Sequence, residues 1–81
     1  MKKFSIIMPA YNVSEYIENS IKSVREQSFE DYELIIVEDC STDEGATLKK
    51  IKENSFNKMK LICNEKNLGL DFESILKSIE L

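Results

Sequence analysis

The chain has 81 residues, 42% hydrophobic and 32% charged, with a formal net charge of −4 and a sequence pI of about 4.8. That composition describes one small globular domain with one core, burying roughly 60–65% of the surface its unfolded chain exposes. It excludes a phosphate-tracking nucleic-acid binder, which needs clustered Lys and Arg, and its two cysteines exclude a disulfide scaffold.

Lys2 and Lys3 precede an apolar stretch that meets Pro9 too soon for a signal peptide, and no run approaches membrane-spanning length. Phe4 to Met8 reads as a short strand ended by Pro9, which cannot donate to a sheet ladder. Pro9-Ala10-Tyr11-Asn12 follows as a loop. Asn12 and Glu15 have capping-box spacing, with Asn where Ser or Thr is usual. Val13, Tyr16, Ile17, Ser20, Ile21 and Val24 recur at helical spacing and predict an amphipathic helix ending near Gln27-Ser28.

Phe29-Glu30-Asp31-Tyr32 leads into Leu34 to Val37, an unbroken apolar run rich in β-branched side chains. Such a run marks a strand buried on both faces of a parallel sheet. It stops at Glu38 and Asp39, before a small polar turn, Cys40-Ser41-Thr42-Asp43. Ser41 and Glu44 repeat the capping-box spacing, and Ala46, Leu48 and Ile51 predict a helix to about Glu53. Lys49, Lys50 and Lys52 read as its solvated face. Phe56 is expected to tuck into the core from a polar connection. Met59 to Cys63 is a third strand, with Cys63 read as a small buried hydrophobe. After the loop Asn64 to Gly69, the residues Phe72, Ile75, Leu76 and Ile79 mark a final amphipathic helix. Strand–helix repeated three times predicts an α/β fold with a parallel sheet and right-handed crossovers.

In such a sheet the loops Pro9–Asn12, Glu38–Asp43 and Asn64–Gly69 all lie along the edge where ligands bind. Only Gly45 and Gly69 are available, so neither a glycine-rich dinucleotide fingerprint nor a Walker loop can be built. There is no histidine to activate Cys40 or to complete a Cys/His metal site. What remains is an aromatic residue (Tyr11), amides (Asn12, Asn67), backbone near Gly69, and carboxylates (Glu38, Asp39, Asp43). An aromatic face stacks on a base, and a carboxylate accepts from an imide N–H or a ribose hydroxyl. That set suits a nucleoside better than a bare phosphate, with ordinary loop and capping chemistry as the plain alternative. A diphosphate beside these acids calls for a bridging divalent cation.

Ser5-Ile6-Ile7-Met8-Pro9-Ala10-Tyr11-Asn12, then Glu33 through Asp43, then Asn64-Glu65-Lys66-Asn67-Leu68-Gly69 resembles the family 2 inverting glycosyltransferases, with three motifs in the family's order. The resemblance implies the nucleotide-binding N-terminal part of a Rossmann-like, glycosyltransferase A-type fold that uses a nucleotide-diphosphate sugar, typically a UDP-sugar. Tyr11 would stack on the base, with Pro9, Ala10 and Asn12 shaping that wall. Asp39 would accept from the base, Glu38 would lie beside it, near the ribose or in a structural role, and Asn67 and Gly69 would let the third loop approach the nucleotide. The family usually carries two aspartates followed by Gly or Asn. Here Glu38 and Cys40 stand at the first and third of these positions, which implies a tighter pocket. Leu70-Asp71-Phe72-Glu73 replaces the Arg and Asn that many members place after the third-loop glycine.

The family's metal-binding aspartates and catalytic base come after the region matched here. Residues 1–81 are therefore expected to be a single nucleotide-binding subdomain truncated at its C-terminus and inactive alone. Magnesium or manganese is expected for the full-length enzyme, with no ligand assignable in this chain. The expected location is cytoplasmic, at the inner face of the membrane for the full-length protein. Self-association of the fragment follows from the apolar surface a missing half would cover. The competing reading is a non-catalytic nucleotide-binding or interaction module, complete at this length.

Overall fold

The computed structural model describes residues 4–28, 31–69 and 71–79, so Met1, Lys2, Lys3, Phe29, Glu30, Leu70, Glu80, Leu81 and the side chain of Phe72 lie outside the described residues. In chain order the elements are β1 (Phe4–Ala10), α1 (Ile17–Arg25), β2 (Tyr32–Glu38), α2 (Ala46–Glu53), β3 (Met59–Cys63) and α3 (Phe72–Ile79). The apolar run of β2 does what its pattern dictates. It takes the centre of a three-stranded parallel sheet, with β1 on one side and β3 on the other. Ile6 and Met8 pair with Leu34 and Ile36, which pair in turn with Met59 and Leu61.

Side chains alternate across a strand, so this register sorts the sheet into two faces. Ile6, Met8, Ala10, Leu34 and Ile36 line one face and meet Ile17 and Ile21 of α1 and Ile51 of α2. Val13, Val24, Met59 and Leu61 complete that core, together with Phe56, tucked in from its connection as expected. On the other face Ile35 and Val37 are buried, and α3 packs against β2. The fold class is as anticipated: parallel strands alternating with helices, strand ends along one edge.

The element ends differ from expectation. β1 runs through Pro9 to Ala10 rather than stopping at Met8. Phe4 N–H donates to Asp31 O and Ala10 O accepts from Asp39 N–H, so even-numbered residues turn their backbone toward β2. The missing N–H of Pro9 thus falls on the outer edge of β1, where no ladder bond requires it. α1 starts at Ile17 after a turn closed on Val13 O, and its N-cap Tyr16 makes no side-chain cap bond, so Asn12 and Glu15 form no capping box. α1 also stops at Arg25, short of Gln27. α2 starts at Ala46 after Gly45 at φ 84°, and its capping carboxylate is Asp43 rather than Ser41. Cys63 is exposed at the end of the edge strand β3, not buried. Lys50 and Lys22 both pair with Glu18, at 3.4 and 3.2 Å, consistent with a solvated face.

Candidate functional site

The loops after β1 and β2 are sewn together by short polar side chains. Asn12 N–H donates to Ser41 Oγ (3.0 Å), Asn12 Nδ2 donates to Thr42 Oγ1 (3.1 Å), and Thr42 N–H donates back to Asn12 Oδ1 (2.8 Å). Beneath them Thr47, fully buried in the first turn of α2, accepts from Val13 N–H at 2.9 Å and donates its hydroxyl to Asp43. The Asp43 carboxylate also accepts from Thr47 N–H at 3.2 Å. The Thr47 hydroxyl, then the capping amides, outweigh partial burial and hold the Asp43 carboxyl below its usual range. Asn12 therefore uses both its amide oxygen and its amide nitrogen to join two loops.

Asp39 does the same for the third loop. It is 0% exposed. Oδ1 accepts from Asn64 Nδ2 (2.8 Å) and Leu68 N–H (2.9 Å), and Oδ2 accepts from Gly69 N–H (2.8 Å). Asn67 Nδ2 reaches Asp39 O at a long 3.4 Å. Burial pushes the Asp39 carboxyl up, but the donors Leu68 N–H, Asn64 and Gly69 N–H together outweigh it and hold the group below the usual range. Gly69 sits at φ 93°, a conformation L side chains rarely adopt, so glycine suits the backbone approach to Asp39.

Glu38 and Asp39 do not face one pocket. Alternation places Glu38 on the side of α1 and α2, where it is buried and accepts Ser41 N–H at 2.8 Å. Asp39 faces α3. Ala10 pairs with Glu38, so the half-buried Tyr11 leaves β1 level with Asp39. The structure thus gathers Ala10, Asn12, Asp39, Asn67 and Gly69 at one sheet edge, with Tyr11 at the end of the neighbouring strand. Pro9 is in β1 itself, exposed.

Cys40 explains a sequence departure. Its φ is 59°, in the left-handed region, where the Gly or Asn usual in the resembled family is comfortable and another residue costs about 1–2 kcal/mol. Its Sγ donates to Glu65 O at 3.6 Å, a further tie between the second and third loops.

The carboxylates at this edge are engaged within the chain. Glu38, Asp39 and Asp43 are each committed to donors within the chain, and no cluster of three or more metal-ligating side chains occurs among the described residues. No helix among the described residues is long and apolar enough to cross a membrane.

Sequence reasoning missed Asn64, Thr47, Ser78 and Asp71. Asp71 accepts Ser74 N–H at 2.8 Å and caps α3. The Asp-x-x-Ser spacing could have shown this.

Comparison with known proteins places these loops in context. The family model "Glycosyl transferase family 2" matches residues 5–71. The poly(ribitol-phosphate) beta-N-acetylglucosaminyltransferase TarP of Staphylococcus aureus is 49% identical over 55 residues, covering 65% of this chain and 17% of TarP. The UDP-Glc:alpha-D-GlcNAc-diphosphoundecaprenol beta-1,3-glucosyltransferase WfgD of Escherichia coli is 43% identical over 61 residues, covering 75% of this chain and 23% of WfgD. The crystal structure of S. aureus TarS 1-349 superposes with a TM-score of 0.69 at 29% identity, covering 98% of this chain and 24% of that 1-349 chain. The chain therefore spans a quarter or less of the length of these relatives. With its three-strand sheet, its strand-end loops and a match over most of its length, the chain belongs to glycosyl transferase family 2.

Proposed function

We propose that these 81 residues bind the nucleotide of a nucleotide-diphosphate sugar, UDP in the first instance, for transfer of the sugar to an acceptor hydroxyl. The observation that carries this reading is the convergence of three loops at one sheet edge, with Tyr11 and Asp39 each one residue past the ends of the paired strands β1 and β2. Tyr11 stacks on the base, and Pro9, Ala10 and Asn12 form the wall beside it. Asp39, buried beneath the third loop, accepts from the base as nucleotide displaces part of that loop, since a carboxylate offers about four lone-pair sites and its loop bonds use three. Asn67 and Gly69 bring the third loop against the nucleotide, and Glu38 supports the turn from the opposite face. The donor named for WfgD, UDP-Glc, supports UDP as the first ligand to test.

Donor binding is the role assigned to this part, and the transfer chemistry, including the divalent cation, is assigned to the rest of a longer enzyme. A cytoplasmic location fits a donor made in that compartment. Among the described residues β1 is an edge strand, and Ile7 on it is 42% exposed, which supports self-association of the isolated chain.

Calorimetric titration with UDP tests the reading. Tyr11→Ala is expected to weaken binding about tenfold or more, the scale for losing one aromatic–base stack. Equal affinity of wild type and Tyr11→Ala overturns the stacking role.

A further inference from the structure

Beyond Asp39 runs a line of polar side chains that no motif points to. Asn64 follows the last residue of β3, and its backbone N–H donates to Glu38 O at 2.9 Å, which fixes it beside the end of β2. Its side-chain Nδ2 lies 2.8 Å from Asp39 Oδ1 and 2.9 Å from Ser78 Oγ. Ser78, 5% exposed near the end of α3, passes its own hydroxyl to Ser74 O one turn back, at 3.1 Å. One amide thus grips the Asp39 carboxylate on one side and the buried face of α3 on the other. Both of its amide protons are used, which leaves Asp39 Oδ2 to Gly69 alone within the loop.

We propose that Asn64 is a positioning residue of the donor site, holding the Asp39 carboxylate in the one orientation that closes the third loop and keeps the carboxylate aligned for the base as that loop shifts. The assignment rests on the reading of Asp39 as a base contact. Three features carry it. Asn64 touches Asp39 directly, it is anchored independently through its backbone and Ser78, and it donates where a carboxylate needs a donor. An apolar residue of similar size would keep the packing and lose the grip. A carboxylate there would repel Asp39 outright.

The test uses Asn64→Leu and Asn64→Asp, with Ser78→Ala as a milder variant should either fail to fold. Amide hydrogen exchange is followed by NMR without ligand, and UDP affinity by calorimetry. The expected result is faster exchange at Leu68 and Gly69, while Ile36 and Val37 in β2 keep their protection. UDP affinity is expected to fall about three- to tenfold in Asn64→Leu, the scale of one hydrogen bond, and further in Asn64→Asp. That ordering separates a positioning role from a packing role, under which the isosteric Asp would be no worse than Leu. Unchanged exchange at Leu68 and Gly69 overturns the proposal. So does faster exchange with unchanged UDP affinity, or Asp no worse than Leu. A wild-type protein that binds no UDP instead overturns the donor-site reading, and the two failures are thereby distinguished.

Discussion

Replacing Asp39 by Asn tests whether this carboxylate builds the site as well as serving it. The change keeps volume and shape, so the cost arises from hydrogen bonding alone. One amide oxygen can still accept from Asn64 and Leu68, now as a neutral group. Bonds to charged groups are worth about 1.5–3 kcal/mol and neutral ones about 0.5–1.5, so each retained bond loses about 1 kcal/mol. The new NH2 faces Gly69 N–H, a donor against a donor, and stranding that group costs about 1–3 kcal/mol more. Relief from burying a charge offsets part of this, leaving a net loss of about 2–4 kcal/mol. In a domain with only about 5–15 kcal/mol of stability, that lowers the melting temperature by roughly 10–25 °C.

Thermal and urea denaturation of the ligand-free protein is the assay, because no nucleotide is then present to confuse binding with folding. A variant melting within about 2 °C of wild type would refute the reasoning, since three donors at 2.8–2.9 Å would then contribute nothing.

Acid should act through the same group. Asp39 is held below its usual range in the folded chain, so the unfolded chain takes up protons first, at about pH 4. The stability it contributes is complete above about pH 4 and is lost as pH falls through the folded value, so melting temperature should drop on acidification, with a shallower slope in Asp39→Asn. Asp43, Asp71 and Glu18 are also lowered, so the slope should persist in part. Thr47→Val keeps shape but strands Val13 N–H, and is expected to cost about 1–3 kcal/mol in urea denaturation. The exposed Ile7 on the edge strand β1 should make the isolated chain associate, read as mass rising with concentration in light scattering, and a monomer at every concentration would refute it.

The parts of this molecule that were legible in the sequence are those governed by local periodicity. Leu34 to Val37 announced a central strand because an unbroken apolar run has no other stable place, and the stripe of Ile17, Ile21 and Val24 fixed the inner face of α1 because only a helix brings those residues together. Chemistry at the strand ends obeyed a different rule. Capping-box spacing at Asn12/Glu15 and Ser41/Glu44 is a pattern four residues long, whereas the bonds these loops make span far more chain. Asn12 meets Thr42 across 30 positions, and Asp39 meets Gly69 across another 30. Their reach depends on left-handed backbone at Asn12, Cys40 and Gly69, and nothing in the sequence signals that conformation at Cys40. Glu38 and Asp39 make the same point in two adjacent letters. Read as a pair, they suggest two carboxylates turned to one ligand, yet strand alternation sends them to opposite faces, one to hold a turn and one to hold a loop. Residues picked as ligand contacts are thus also the residues that assemble the edge. A donor site built this way should respond to nucleotide as a unit, because no base contact at Asp39 can strengthen or weaken without altering the hold on Leu68 and Gly69.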